Sequence, residues 1–319
     1  TSISRLEKYR SCPFSYYLQY GLKLKEKEQL KIQSFNTGSF MHEMIDEFFE
    51  YVRQEGLSLA ELEEEQITKI VSEIIENNLK MSKNYIFTAT AKYKVLVRRL
   101  KKIVSKALKY IIETIIYSDF SIEGTEVEFG KNGRYKPIVL EIGEGKKVEI
   151  TGKIDRIDIA KDENNKYLRI IDYKSSLKDI DYTNIYAGLQ LQLITYLDAM
   201  CKIEDFIPAG ILYFNLLEQI INSDKKITDE EIEEKIKNNF KMKGLILADV
   251  RVAKMQDNNL MASTQSKIIP AYMDKTENLS SKKSSIATKE EFEKLQKYVN
   301  NTIKEISEEI LNGNIKLKP

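Results

Sequence analysis

The chain has 319 residues, and its 50 Lys and Arg against 49 Asp and Glu leave a formal net charge of +1. With 42% apolar and 31% charged residues, the composition excludes disordered and collagen-like classes, and no run approaches the roughly 18 uncharged apolar residues of a membrane span. No secretory pattern opens the chain, and two cysteines, Cys12 and Cys201, are too few for a disulfide framework, so the expected setting is the reducing cytoplasm.

In chain order, the first elements read as helices. Capping boxes, a Ser or Thr followed three residues later by Glu, stand at Ser4–Glu7, Ser58–Glu61, Thr228–Glu231 and Thr288–Glu291. The first helix is expected to be short, because Pro13 interrupts it just after Cys12. An apolar turn with Tyr16, Tyr17 and Tyr20 then runs to Gly21. From 39 to 52, Met41, Met44, Ile45, Phe48 and Val52 recur at helical spacing. His42, the chain's only histidine, and Asp46 lie one turn apart on the flank of that stripe. Two long helices are predicted over 59–80 and 90–117. The second carries Lys94, Arg98, Lys101, Lys102 and Lys106 away from its apolar side. That basic face reads either as a solvated surface or as a contact for phosphates, and near-zero net charge is compatible with such a local groove.

Past Glu123 the period shortens to two. Glu126–Phe129, Ile138–Ile142, Val148–Ile159 and Leu168–Lys174 are predicted strands, the last two joined by the loop Lys161–Lys166. A helix over Ile185–Cys201, a strand over Ala209–Leu217 and a charged helix over Thr228–Met242 follow. One or two strands and a polar loop are expected over Gly244–Ser285, then a last helix over Glu290–Leu311, ended by Gly313. This order predicts an α/β fold with a mixed central sheet flanked by helices. It is expected to be one domain over 1–319: a helical subdomain over 1–120 carrying His42, a sheet core over 121–220, and C-terminal helices and strands over 221–319.

Candidate chemistry lies in the strands. Period two puts Asp172 and Lys174 on one face of their strand with Leu168 and Ile170, and Asp155 on the face of Ile157 and Ile159. If the two strands pair across the loop, Asp155 and Asp172 come close together. Two carboxylates repel unless a cation lies between them, and oxygen ligands suit Mg²⁺. A salt bridge among Asp155, Asp172 and Lys174 that merely closes the sheet end is the other reading of the same residues. Asp158 falls on the opposite face and is expected in a surface ion pair. On the helix after Gly188, Gln192 and Tyr196 share a face.

Taken in order, Gly38-x-x-x-His42, Gly152-x-x-Asp155, Asp172-Tyr-Lys174 and Gln192-x-x-x-Tyr196 form a set that resembles the RecB-like branch of the PD-(D/E)XK nucleases. The resemblance extends along nearly the whole chain to the AddB-like nuclease domains of bacterial helicase–nucleases. Ser4–Gly21 resembles the start of such a domain, and Gly188–Ala199 and Glu309–Ile315 resemble its later segments. The resemblance implies a restriction-endonuclease-like core in which His42, Asp155 and Asp172, with the Tyr173 backbone carbonyl, ligate Mg²⁺ or Mn²⁺. It implies that Lys174 activates water or stabilises the transition state, and that Gln192 and Tyr196 support the site and the DNA backbone. Lys94, Arg98 and Lys102 are candidate DNA contacts, and Tyr9, Phe14, Tyr16, Tyr17 and Tyr20 form a cluster suited to stacking bases or to packing helices.

The implied activity is a Mg²⁺-dependent exonuclease acting on single-stranded DNA unwound by an AddA-like helicase–nuclease partner, in double-strand-break repair and recombination. The alternative is a catalytically silent nuclease-fold module for DNA binding or subunit docking. Its signature would be a lost motif residue, and all are present. No Gly-x-x-x-x-Gly-Lys-Ser/Thr loop occurs, so ATP hydrolysis is expected elsewhere. The family also carries a 4Fe-4S cluster on four cysteines. Cys12 matches the first, and the other three are expected beyond Pro319, so the chain reads as a fragment of a longer protein. Cys201, among Leu197 and Met200, reads as a buried apolar cysteine.

Overall fold

The computed structural model describes residues 1–25, 34–81, 87–143, 145–217 and 228–317. The end of the chain, Lys318 and Pro319, lies outside them. Helices α1 (Ile3–Ser11), α2 (Pro13–Tyr16), α3 (Ser34–Gln54), α4 (Glu64–Leu79) and α5 (Ala91–Ile116) precede the first strand. Two of the predicted capping boxes form. Thr228 and Thr288 accept from the amides of Glu231 and Glu291, both at 3.2 Å, and the glutamates accept in return. The other two do not: Ser4 lies inside α1, and Ser58 precedes only a short 3₁₀ turn, Leu59–Glu61. Helix α4 starts later than predicted, where Gln66 Oε1 accepts from the Glu63 amide at 2.8 Å.

Among the described residues the central sheet has six strands in the order β1-β4-β5-β6-β7-β10. These are β1 (Ser121–Phe129), β4 (Gly152–Lys161), β5 (Lys166–Lys174), β6 (Ile207–Asn215), β7 (Lys243–Leu247) and β10 (Ile286–Ala287). The pairs β5–β6 and β7–β10 are parallel and the others antiparallel, so the sheet is mixed. The predicted strand Val148–Ile159 is broken at Thr151, whose amide donates to the Thr1 carbonyl at 2.7 Å. Its first part, β3 (Lys147–Ile150), leaves the sheet to pair with β2 (Ile138–Glu141).

Between β5 and β6 the predicted helix divides into α6 (Tyr182–Tyr186) and α7 (Gln192–Glu204) around Gly188. Gly188 has φ +77°, and a Cβ there would lie 2.8 Å from Arg10 Cγ, so both backbone and space demand glycine. After α8 (Asp229–Phe240) and β7 comes a helix that the sequence pattern does not reveal, α9 (Val250–Gln256), capped by Asp249 Oδ1 at 2.8 and 3.1 Å. The two-residue strands β8 (Thr264–Gln265) and β9 (Tyr272–Met273) pair apart from the sheet, and α10 (Lys289–Leu311) closes the described chain.

Strand β5 is covered on both sides. Ile171 and Tyr173 pack in a core with Met44, Ile45 and Phe48 of α3, Ile74 of α4 and Leu108 of α5. Leu168 and Ile170 pack in a second core with Leu6 of α1, Leu197 of α7 and Ile303 of α10. Helices on both faces bury a strand that reads as a nearly continuous apolar run.

Double coverage also corrects the expectation for Asp158. It makes an ion pair, but not at the surface: its side chain is 0% exposed. Its two oxygens accept from Arg156 Nε and Nη2 at 2.6 and 2.7 Å, and Oδ2 also accepts from Arg169 Nε at 2.8 Å. The Arg169 guanidinium lies 4.7 Å over the Phe120 ring and donates to the Thr114 carbonyl of α5 at 3.5 Å.

Candidate active site

The ladder between β4 and β5 runs from Lys161–Lys166 to Arg156–Ile171. One residue beyond its last pair stand Asp155 and Asp172, on the strand face that carries Ile157 and Ile170 further back. The register thus juxtaposes these two residues. At Asp155 the side chain takes over from the backbone ladder: its Oδ2 accepts from the Tyr173 amide at 2.8 Å.

Helix α3 brings His42 to the same oxygen, with Nδ1 3.4 Å from Asp155 Oδ2. Gly38, one turn earlier, makes the approach possible, since a Cβ there would lie 3.1 Å from Ser175 Oγ, just past the end of β5. Asp46, one turn later, accepts from Thr125 Oγ1 of β1 at 2.5 Å and pins the helix. Beside Thr125, Glu126 has φ +49°, a left-handed conformation uncommon for a residue with a side chain. Its carboxylate joins His42 and Asp155 in a group whose potential ligand atoms lie within 4.8 Å of one another. Glu126 also pairs with Lys153. Sequence reasoning missed Glu126 as a site residue, since its place beside the site depends on a backbone twist that no spacing rule encodes.

Asp172 is paired differently. Its Oδ2 lies 2.5 Å from Lys174 Nζ, with the lysine side chain 31% exposed and the aspartate 5%. Burial pushes the Asp172 carboxyl up to about 6 and Asp155 raises it further, against the pull of Lys174. Asp155 is likewise raised to about 6 by burial, against the Tyr173 amide and the charges of Lys174 and Lys153. Burial also drives His42 down to about 4, leaving a neutral imidazole at physiological pH. A neutral imidazole beside the half-buried carboxylates of Glu126 and Asp155, with buried Asp172 repelled by Asp155 next to them, has the donor chemistry of a divalent-cation site.

Gln192 and Tyr196 lie on α7. The Tyr196 ring is 4% exposed, stacks on Phe129 at 5.8 Å and covers Gly152. Tyr196 therefore braces the strand that leads to Asp155; its buried ring is not presented to solvent. Lys94, Arg98 and Lys102 are exposed on α5 and form no ion pair among the described residues. In the N-terminal aromatic group, Tyr9 is buried and donates to the Asn314 carbonyl at 2.9 Å, whereas Phe14 is 38% exposed. Cys12 sits between α1 and α2, and Cys201 is half-buried with its thiol pushed up to about 12 by burial. Cys12 and Cys201 are fewer than the four thiolates that hold a 4Fe-4S cluster.

The chain belongs to the PD-(D/E)XK nuclease superfamily, whose family model matches residues 1–319. It is 41% identical over 325 residues to an ATP-dependent helicase/deoxyribonuclease subunit of Acetivibrio thermocellus. It is 42% identical over 324 residues to the protein of the same name in Ruminiclostridium cellulolyticum, and 41% over 324 residues to that of Clostridium novyi. Each match covers 100% of this chain but 28% of the relative, so the chain spans little more than a quarter of those proteins. Among the described residues no helix is long and apolar enough to cross a membrane.

Proposed function

We propose that this chain is a metal-dependent deoxyribonuclease domain that removes nucleotides from single-stranded DNA delivered by a helicase partner. The observation that carries this reading is the Asp155–Asp172 pair at the ends of β4 and β5, with His42 against one carboxylate and Lys174 against the other. His42, Asp155, Asp172 and the Tyr173 carbonyl would hold Mg²⁺ or Mn²⁺, and the Glu126 carboxylate stands close enough to His42 and Asp155 to share in the ligation. Such a cation, when bound, lowers the pKa of the attacking water and offsets the charge of the scissile phosphate.

The chain's own groups do the rest. Lys174 offers its ammonium to the negative charge that builds on the phosphate as one P–O bond forms and another breaks. His42 keeps a lone pair free for ligation at any pH well above 4. Gln192 and Tyr196 hold the frame behind the carboxylates, and Lys94, Arg98 and Lys102 are candidate contacts for the DNA backbone. The relatives' names, which describe an ATP-dependent helicase/deoxyribonuclease subunit, support a helicase partner working on DNA; an AddA-like helicase–nuclease as that partner, and a role in double-strand-break repair and recombination in the cytoplasm, are part of this proposal.

Digestion of end-labelled single-stranded DNA with Mg²⁺ or Mn²⁺ tests the proposal, beside Lys174→Ala and a chelator control. Cleavage from the ends that disappears in both controls is expected. Full-length protein that binds DNA without cutting it would point instead to a silent module for binding or docking.

A further inference from the structure

Helix α7 begins without a cap of its own. Its N-cap residue, Leu191, has no side chain able to accept from the first-turn amides, and such orphan donors need partners when buried. The acceptor comes from the other end of the chain: Glu7 of α1 places Oε1 2.7 Å from the Leu191 amide, and the Gln192 amide also bonds this carboxylate. Around this joint the backbone is held on several sides. Gln190 donates to the Asp179 carbonyl at 2.8 Å and to the Tyr213 hydroxyl at 3.0 Å, and it accepts from the Asp181 amide at 2.9 Å. Tyr213 is the β6 partner of Asp172 in the parallel ladder. The charges of Lys178 and Lys174 also act on the Glu7 carboxylate, which places it on the lysine side of the candidate site.

We infer that Glu7 is a positioning residue for the nuclease reaction: by capping α7 from α1, it sets where that helix lies over β4 and β5. The helix carries Gln192 at its first turn, and one turn on, Tyr196 braces Gly152, three residues before Asp155. Losing the cap lets the start of α7 shift, and displacements of about 1 Å at a reacting centre can cost up to about 100-fold in rate. The site's own side chains are untouched, so the loss falls on turnover and not on DNA affinity. The kinetic part of this inference rests on the proposed nuclease activity; the capping part does not.

The test uses the full-length protein and has two arms. Hydrogen exchange of the peptide spanning 188–196 is expected to speed up about tenfold in Glu7→Ala, with little change in Glu7→Gln, whose amide oxygen still accepts. Unchanged protection in Glu7→Ala overturns the cap, whatever the enzyme does. In the kinetic arm, Glu7→Ala is expected to lower kcat about tenfold or more with KM for single-stranded DNA within about twofold, and Glu7→Gln to restore most of it. Wild-type kcat in Glu7→Ala, or equal damage by Gln and Ala, overturns the positioning role. If Glu7→Ala does not fold, Glu7→Gln and Glu7→Asp carry both arms, and a loss in Gln greater than in Asp refutes the acceptor argument. Wild type that protects 188–196 but cuts no DNA fails the nuclease proposal and leaves the cap standing.

Discussion

The Tyr196 hydroxyl lies over the α-carbon of Gly152 so closely that a Cβ at that position would fall 2.0 Å from the oxygen and 2.9 Å from Cζ. The glycine of Gly152-x-x-Asp155 and the tyrosine of Gln192-x-x-x-Tyr196 are therefore one packing unit.

Gly152→Ala should destabilise the protein by about 2 kcal/mol, the usual range for forcing extra volume into a packed interior. It should also lower activity, because the strand that gives way leads to Asp155. Adding Tyr196→Phe removes the nearest atom, so the double variant should recover part of the loss. Urea denaturation of the three variants measures the loss of stability and its recovery, digestion of end-labelled single-stranded DNA measures the activity, and an additive double variant would contradict the direct clash.

The pH dependence follows from the three perturbed groups. Asp155 and Asp172, raised from 3.8 to about 6, favour folding below about pH 4 and lose that contribution as pH rises through 6. His42, lowered from 6.5 to about 4, acts oppositely: its contribution is present above 6.5 and lost as pH falls through 4. At pH 8 without metal, Asp172→Asn should therefore be more stable than wild type by about 1 kcal/mol, an advantage that shrinks toward pH 5. Mg²⁺ should raise the Tm of wild type and not of Asp172→Asn, an effect that weakens in wild type below about pH 6. Thermal melts with chelator and with Mg²⁺ across this range check each point.

Removing Asp158 leaves the buried Arg156 and Arg169 without a counter-charge. Asp158→Ala should cost about 3–5 kcal/mol. Glu50→Ala, which breaks the exposed 2.6 Å pair with Arg53, should cost less than about 1 kcal/mol. Comparable losses in the two variants would show that the buried cluster is not held by charge.

Glu126 combines strain with a potential ligand atom. Glu126→Gly relieves the left-handed backbone and should gain up to about 1 kcal/mol of stability, yet lower divalent-cation affinity about tenfold, as should Glu126→Gln. Titration calorimetry with Mn²⁺, paired with denaturation, separates the two effects. Unchanged affinity in both variants would make Glu126 a partner of Lys153 alone.

What the sequence disclosed was what is local or strictly periodic. The Leu168–Lys174 pattern revealed β5 and put Asp172 and Lys174 on one of its faces, and the Thr228 and Thr288 boxes revealed helix starts, because each depends on neighbours within four residues; the burial of β5 on both faces depends on distant helices. The break at Thr151 depends on Thr1, the burial of Asp158 on Phe120 and α5, and the approach of Glu126 on a single backbone twist. The cap of α7 comes from Glu7, which stands 184 residues away. None of these partnerships leaves a mark at the position it governs, and the sites of greatest strain are where local rules fail.

The candidate metal cluster draws on α3, β1, β4 and β5, and the helix behind it follows later still. A polypeptide emerging from the ribosome presents His42 more than a hundred residues before Asp172 and Lys174, with no acidic pair yet beside it. The hydrolytic centre proposed here thus comes into being only with the completed fold. On the proposed reading, a chain released before β5 is made holds no assembled centre, because Asp172 and Lys174 are still missing from it.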